Sequence, residues 1–194
     1  MKRDHVLAVA LCVLLALLVA SGLRPFDRLT WGLEVAPVVM AIPLLVVTYR
    51  RFPLTSLLYA VIFAHAVVLI VGGTYTYARV PAGFWLQDAF HLARNPYDKI
   101  GHFAQGFVPA LVTREILLRG RYVRTRPMLA FLVVCVVLAV SATYELIEWQ
   151  SAVLAGQRAD DFLGTQGDPW DTQSDMAFAL LGGVAALLLL TRLH

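Results

Sequence analysis

Six apolar stretches, each about as long as a bilayer is thick, constrain this chain more than any other feature. The hydrocarbon core of a bilayer measures ~30 Å, so a helix rising ~1.5 Å per residue needs ~20 mostly apolar residues to cross it. The stretches lie near residues 6–23, 29–48, 54–73, 100–118, 128–149 and 172–191 of 194. No gap between them could hold a separate soluble domain. The expectation is therefore one integral membrane domain over 1–194, an all-α polytopic bundle of about six transmembrane helices. Composition agrees: 15% of residues are charged and the mean hydropathy is +0.71, where soluble domains average ~25% charged. The net charge of +3 reflects loop arginines and gives no reason to expect nucleic-acid binding.

The first stretch has some marks of a signal peptide: Lys2 and Arg3 precede it, and Ala20, Ser21 and Gly22 follow its core. Its run to Leu23 is long for a signal core and adequate for a span, so it is read as a retained anchor. Cys12 and Cys135 both fall inside apolar spans and read as small hydrophobes, not as a disulfide or thiol site.

Orientation follows the Lys/Arg bias of short loops. With a cytoplasmic N-terminus, ten of the sixteen Lys and Arg lie inside, including the dense run from Arg114 to Arg126. Both termini are then expected in the cytoplasm. The connection 74–97 falls outside. Within it, Gln87, Asp88, His91 and Arg94 recur at one-face spacing opposite Phe84, Trp85 and Phe90, which predicts a short interfacial helix near 84–94.

On this topology the ionisable residues gather at the outer ends of four spans. Asp98 and His102 begin the fourth, Glu145 and Glu148 end the fifth, Asp168, Asp171 and Asp175 begin the sixth, and Glu34 lies near the outer end of the second. Asp98 and His102 are four apart, as are Asp171 and Asp175, and Glu145 and Glu148 are three apart, so each pair shares a helix face. Gly101, Gly106 and Ala110, with Gly182 and Gly183 on the last span, would allow close helix approach. Asn95-Pro96-Tyr97-Asp98-x-x-x-His102 also parallels Asp168-Pro169-Trp170-Asp171-x-x-x-Asp175, each reading as cap, proline, aromatic and acid, then a polar residue one turn deeper.

Capping alone would account for Asp168, because helix N-termini favour anions by roughly 0.3–1 kcal/mol. It does not account for Glu145 and Glu148 at a C-terminus, nor for His102 and Asp175 a turn into the span. Ionisable groups inside spans usually mark function. So many carboxylates cannot all ionise at close range unless cations neutralise them. Carboxylates with imidazole suit Zn, Mn, Fe or Mg, and paired residues on facing helices are how bundles build dinuclear carboxylate sites. No H-E-x-x-H, G-x-S-x-G or C-x-x-C motif is present. The expected metal ligands are Asp98, His102, Glu145, Asp171 and Asp175, with Glu148 as catalytic base and Glu34, Asp168, Gln105, Tyr75 and Tyr77 as further polar residues of the site. His65, alone on its span, reads as a packing histidine. Tyr75, Tyr77, Trp85, Trp149 and Trp170 read most simply as an aromatic belt.

Three stretches resemble the bacterial YjdF-like inner-membrane proteins: Asn95 to Phe103, Tyr144-Glu145-Leu146-Ile147-Glu148-Trp149, and Phe162 to Met176. The likeness extends to Trp31-x-x-Glu34 and to Gly72-Gly73-x-Tyr75-Thr76-Tyr77, departing at Thr74, where a histidine is expected. More distantly, the order acid-x-x-x-His, then Glu, then acid at the head of a glycine-bearing last span is similar to VanZ-like membrane proteins. Those are tied to the cell envelope. The resemblance implies a multi-pass inner-membrane protein and supports the site residues more than any reaction. Three function classes follow: a metal-dependent hydrolase of a lipid or lipid-linked envelope substrate, a proton- or cation-coupled transporter, and a non-catalytic accessory protein.

Overall fold

The computed structural model describes residues 3–155 and 165–190, and among them all regular structure is helical. The helices are α1 (Arg3–Leu23), α2 (Arg28–Thr48), α3 (Ser56–Tyr75), α4 (Pro81–Phe90), α5 (Tyr97–Arg119), α6 (Arg126–Ala155) and α7 (Asp171–Leu190), with a short 3-10 turn at Tyr77–Arg79. Five of them (α1, α2, α3, α6 and α7) are long and apolar enough to cross a membrane. The chain is thus a polytopic membrane helix bundle.

The remaining expected span, 100–118, falls in α5. At 23 residues α5 is ~34 Å long, which suffices for a crossing. It fails on apolarity, because it carries Asp98, Lys99, Arg114, Glu115 and Arg119. The reason is burial: Asp98, His102, Arg114 and Glu115 are all enclosed, so lipid does not dictate their chemistry. Five apolar spans and this more polar long helix account for the bundle of about six helices expected.

Two compact units divide the chain, Met1–Asn95 and Pro96–His194. In the first, α3 packs against both α1 and α2, which touch each other little. Asp27 starts α2 by accepting from the Thr30 amide at 2.8 Å, and Thr55 starts α3 by accepting from the Leu58 amide at 3.3 Å. The Trp31 indole donates to Ser21 Oγ at 2.9 Å, and the Phe26 amide donates to the Thr74 carbonyl at 2.9 Å. The α1–α2 connection is thereby tied to the end of α3. Pro81 opens α4. His91, in the left-handed region at φ 52°, closes it, and the Leu92 amide bonds back to the Gln87 carbonyl at 2.9 Å. The short helix therefore spans 81–90 and not 84–94, so His91 and Arg94 leave it and the expected polar stripe stops at Asp88. Phe84, Trp85 and Phe90 are exposed.

In the second unit α5, α6 and α7 each contact the other two. Between α5 and α7 the backbones themselves meet. A Cβ on Gly106 would lie 1.7 Å from the Ala179 carbonyl oxygen, and one on Gly182 would lie 2.0 Å from that of Phe103. Only glycine fits either position. This crossing lies one turn below His102 and Asp175, four residues before Gly106 and Ala179 respectively.

Candidate functional site

Three helices of the second unit bring the polar residues together. The first turns of α5 supply Asp98, Lys99, His102 and Gln105, the second half of α6 supplies Glu145 and Glu148, and the first turns of α7 supply Asp171 and Asp175. Asp98, His102, Glu145, Glu148, Asp171 and Asp175 are all buried. The glycine crossing makes this possible by holding α5 and α7 at backbone contact one turn away.

His102 sits among four acids. Its Nε2 lies 3.4 Å from Asp98 Oδ1 and 3.7 Å from Asp175 Oδ1, and its Nδ1 lies 3.8 Å from Glu145 Oε1. Glu148 is close enough to act on the imidazole electrostatically. Nδ1 also faces Gln105 Oε1 at 2.9 Å. When Nδ1 carries the proton and donates it there, Nε2 presents a lone pair toward Asp98 and Asp175. Tyr144 closes one side, edge-on to the imidazole at 6.4 Å between ring centres.

Lys99 is a site residue that the sequence leaves unmarked, one of the six Lys and Arg on the outer side of the expected topology. Its ammonium lies 2.5 Å from Asp175 Oδ1, 2.8 Å from Asp171 Oδ1 and 3.4 Å from Asp98 Oδ2, and so joins α5 to α7. The available signal was its place in the first turn of α5, three residues before His102 on a neighbouring face. Buried charges need partners, and five carboxylates here face one ammonium and one imidazole. One oxygen of Glu145 is buried without a hydrogen-bond partner.

The other expected residues have different surroundings. Asp168 accepts from the Trp170 amide at 2.9 Å and so shapes the backbone entering α7. Asn95 does not cap α5, whose N-cap is Pro96. Its amide instead donates to the Val80 carbonyl at 3.1 Å, and its side chain lies against Gly83. The parallel between the two helix starts therefore holds in the acids and not in the caps. Glu34, Tyr75 and Tyr77 belong to the first unit. There Glu34 is buried with its Cβ toward Gly73, Tyr77 lays its ring on Gly72, and Tyr75 is 45% exposed. Thr74, at the position expected to be histidine, donates to the Ile70 carbonyl at 2.6 Å.

Asp98, His102 and Asp175 each offer one ligand atom, and these atoms all lie within 4.8 Å of one another. Two ligands in tetrahedral disposition, each ~2.1 Å from an ion, stand about 3.4 Å apart. The 3.4 and 3.7 Å separations from His102 Nε2 match that spacing.

The chain belongs to the family described as a predicted membrane protein (DUF2238), which matches residues 6–194. It is 59% identical over 192 residues to the inner membrane protein YjdF of Escherichia coli (strain K12), covering 99% of this chain and 92% of that protein. No solved structure matches. The chain is a multi-pass protein of the inner membrane.

Proposed function

We propose that the α5–α6–α7 cluster is a hydrolytic centre that binds a divalent cation and acts on a lipid or lipid-linked envelope substrate. The observation that carries this reading is the mutual closeness of the Asp98, His102 and Asp175 ligand atoms, with the imidazole oriented by Gln105. Glu145 and Asp171 flank this triad and would complete a larger ligand set. A bound Zn, Mn, Fe or Mg ion would supply Lewis acidity. Glu148, one turn nearer the end of α6 than Glu145, takes the proton from water as general base. In this reading the first residues of α1 are cytoplasmic and the cluster opens toward the periplasmic side, because α5 and α7 start, and α6 ends, at the same face.

The Lys99 bridge favours a second reading. Its ammonium already sits among three aspartates, where a cation would sit, so the cluster could hold α5 to α7 without any metal and serve an accessory, non-catalytic protein.

Elemental analysis of the detergent-purified full chain, with melting curves before and after chelation, separates the two. The hydrolase reading expects bound metal and a melting point that chelator lowers, since an ion that binds only the folded state stabilises it. His102→Ala and Asp175→Asn should lose the metal. Glu148→Gln should keep both metal and fold while ending the release of phosphate or fatty acid from an inner-membrane lipid extract. A wild type that carries no metal and melts identically in chelator would overturn the hydrolase reading in favour of the accessory one.

A further inference from the structure

We propose that the first unit binds an anionic glycerophospholipid, with an acyl chain in a groove among α1, α2 and α3 and the phosphate against Arg50 and Arg51. The groove measures about 270 Å³, close to the lower end of the ~300–1,000 Å³ usual for ligand sites. Its walls are apolar, with Leu7, Leu11 and Leu14 from α1, Ile42 and Leu45 from α2 and Ile62 from α3. It exists because α1 and α2 each pack on α3 and hardly on each other, leaving a gap where α1 begins and α2 ends. Ala8 and Ala10 put no bulk into that gap, and Ala8 and Val46 are exposed, so it opens at the surface of the bundle. An apolar slot left empty forfeits dispersion contacts along its walls, and in a bilayer the filler at hand is an acyl chain.

The rim selects the headgroup. At this end Asp4 is engaged by the Tyr49 hydroxyl, and Arg3 donates to the Leu54 carbonyl while lying 5.6 Å from the centre of the Tyr59 ring. Asp4, Tyr49 and Tyr59 line the groove, so these contacts fix its polar lip. Arg50 and Arg51 follow Tyr49 directly, are exposed, and make no ion pair among the described residues. Three arginines against one tied aspartate favour a phosphate that carries net negative charge over a zwitterionic headgroup. The groove lies wholly within the first unit, and the proposal stands whether or not the polar cluster of the second is catalytic.

Native mass spectrometry of the full chain in detergent tests this, titrating dioleoyl phosphatidylglycerol against dioleoyl phosphatidylcholine. Wild type should retain the anionic lipid about thirtyfold more tightly, the ratio expected from two basic residues beside an anionic headgroup. R50Q/R51Q should reduce the preference to about twofold while leaving chain binding in place. Ala8→Phe, which fills the groove, should lose both lipids. Equal retention of the two lipids by wild type overturns the proposal without any variant. So does a preference that survives in R50Q/R51Q, or undiminished binding by a folded Ala8→Phe protein.

Discussion

Replacing Gly106 by alanine adds one methyl at the point where α5 and α7 touch. That carbon would stand 1.7 Å from the Ala179 carbonyl oxygen, where carbon and oxygen normally keep ~3.3 Å or more apart. The obstacle is backbone on a rigid helix, so no side chain can swing aside, and the helices must part by about 1.6 Å if they move as rigid bodies. Two turns above, the 2.8 Å contact from Lys99 to Asp171 would open to about 4.4 Å if the helices part as rigid bodies, beyond hydrogen-bonding range. Overpacking of this kind costs about 1–3 kcal/mol, and at the site buried charges lose partners as well. In a chain of this size a melting point in detergent should fall by about 5–10 °C. Gly32 provides the control: a Cβ there meets nothing within 4 Å, and it lies on an exposed face of α2. Gly32→Ala should hold or raise the melting point slightly, through the ~0.5–1 kcal/mol helical advantage of alanine. If Gly106→Ala melts with wild type while Gly32→Ala behaves as expected, the glycine crossing does not hold the cluster together.

Lys99→Met removes the ammonium from among Asp98, Asp171 and Asp175, so it should lower the melting point in chelator, and added Zn or Mn should restore it. With one competing unit charge gone at ~3 Å, apparent cation affinity should rise about tenfold or more; a loss of stability that no cation repairs would favour the accessory reading. Ser21→Ala leaves the Trp31 indole without its acceptor and should cost about 0.6 kcal/mol, the average for such bonds in membranes. A double-mutant cycle with Trp31→Phe that shows no coupling would discount that bond. A cytoplasm-active reporter fused after Arg124 should give signal and one fused after Gln157 should not; the opposite pattern would move the cluster to the cytoplasmic side.

The helices were legible in the sequence because a span is a local requirement. Twenty apolar residues satisfy the bilayer whatever lies beside them, so α1, α2, α3, α6 and α7 stand out by length and composition alone. The pairs Asp98/His102 and Glu145/Glu148 were legible for a related reason, since three- and four-residue spacing fixes a shared face on any helix. Which faces meet is not local. Lys99 reads as one more topogenic charge until α7 is placed beside it, for its partners Asp171 and Asp175 lie 72 and 76 residues away. Asn95 reads as a cap until the Val80 carbonyl, at the start of α4, claims its amide. Gly106 looks merely small until the Ala179 carbonyl stands where its side chain would be. Sequence period determines where a side chain points on its own helix. The strength of a buried charge or the tolerance of a glycine depends on atoms within ~4 Å, and only tertiary packing decides which atoms those are.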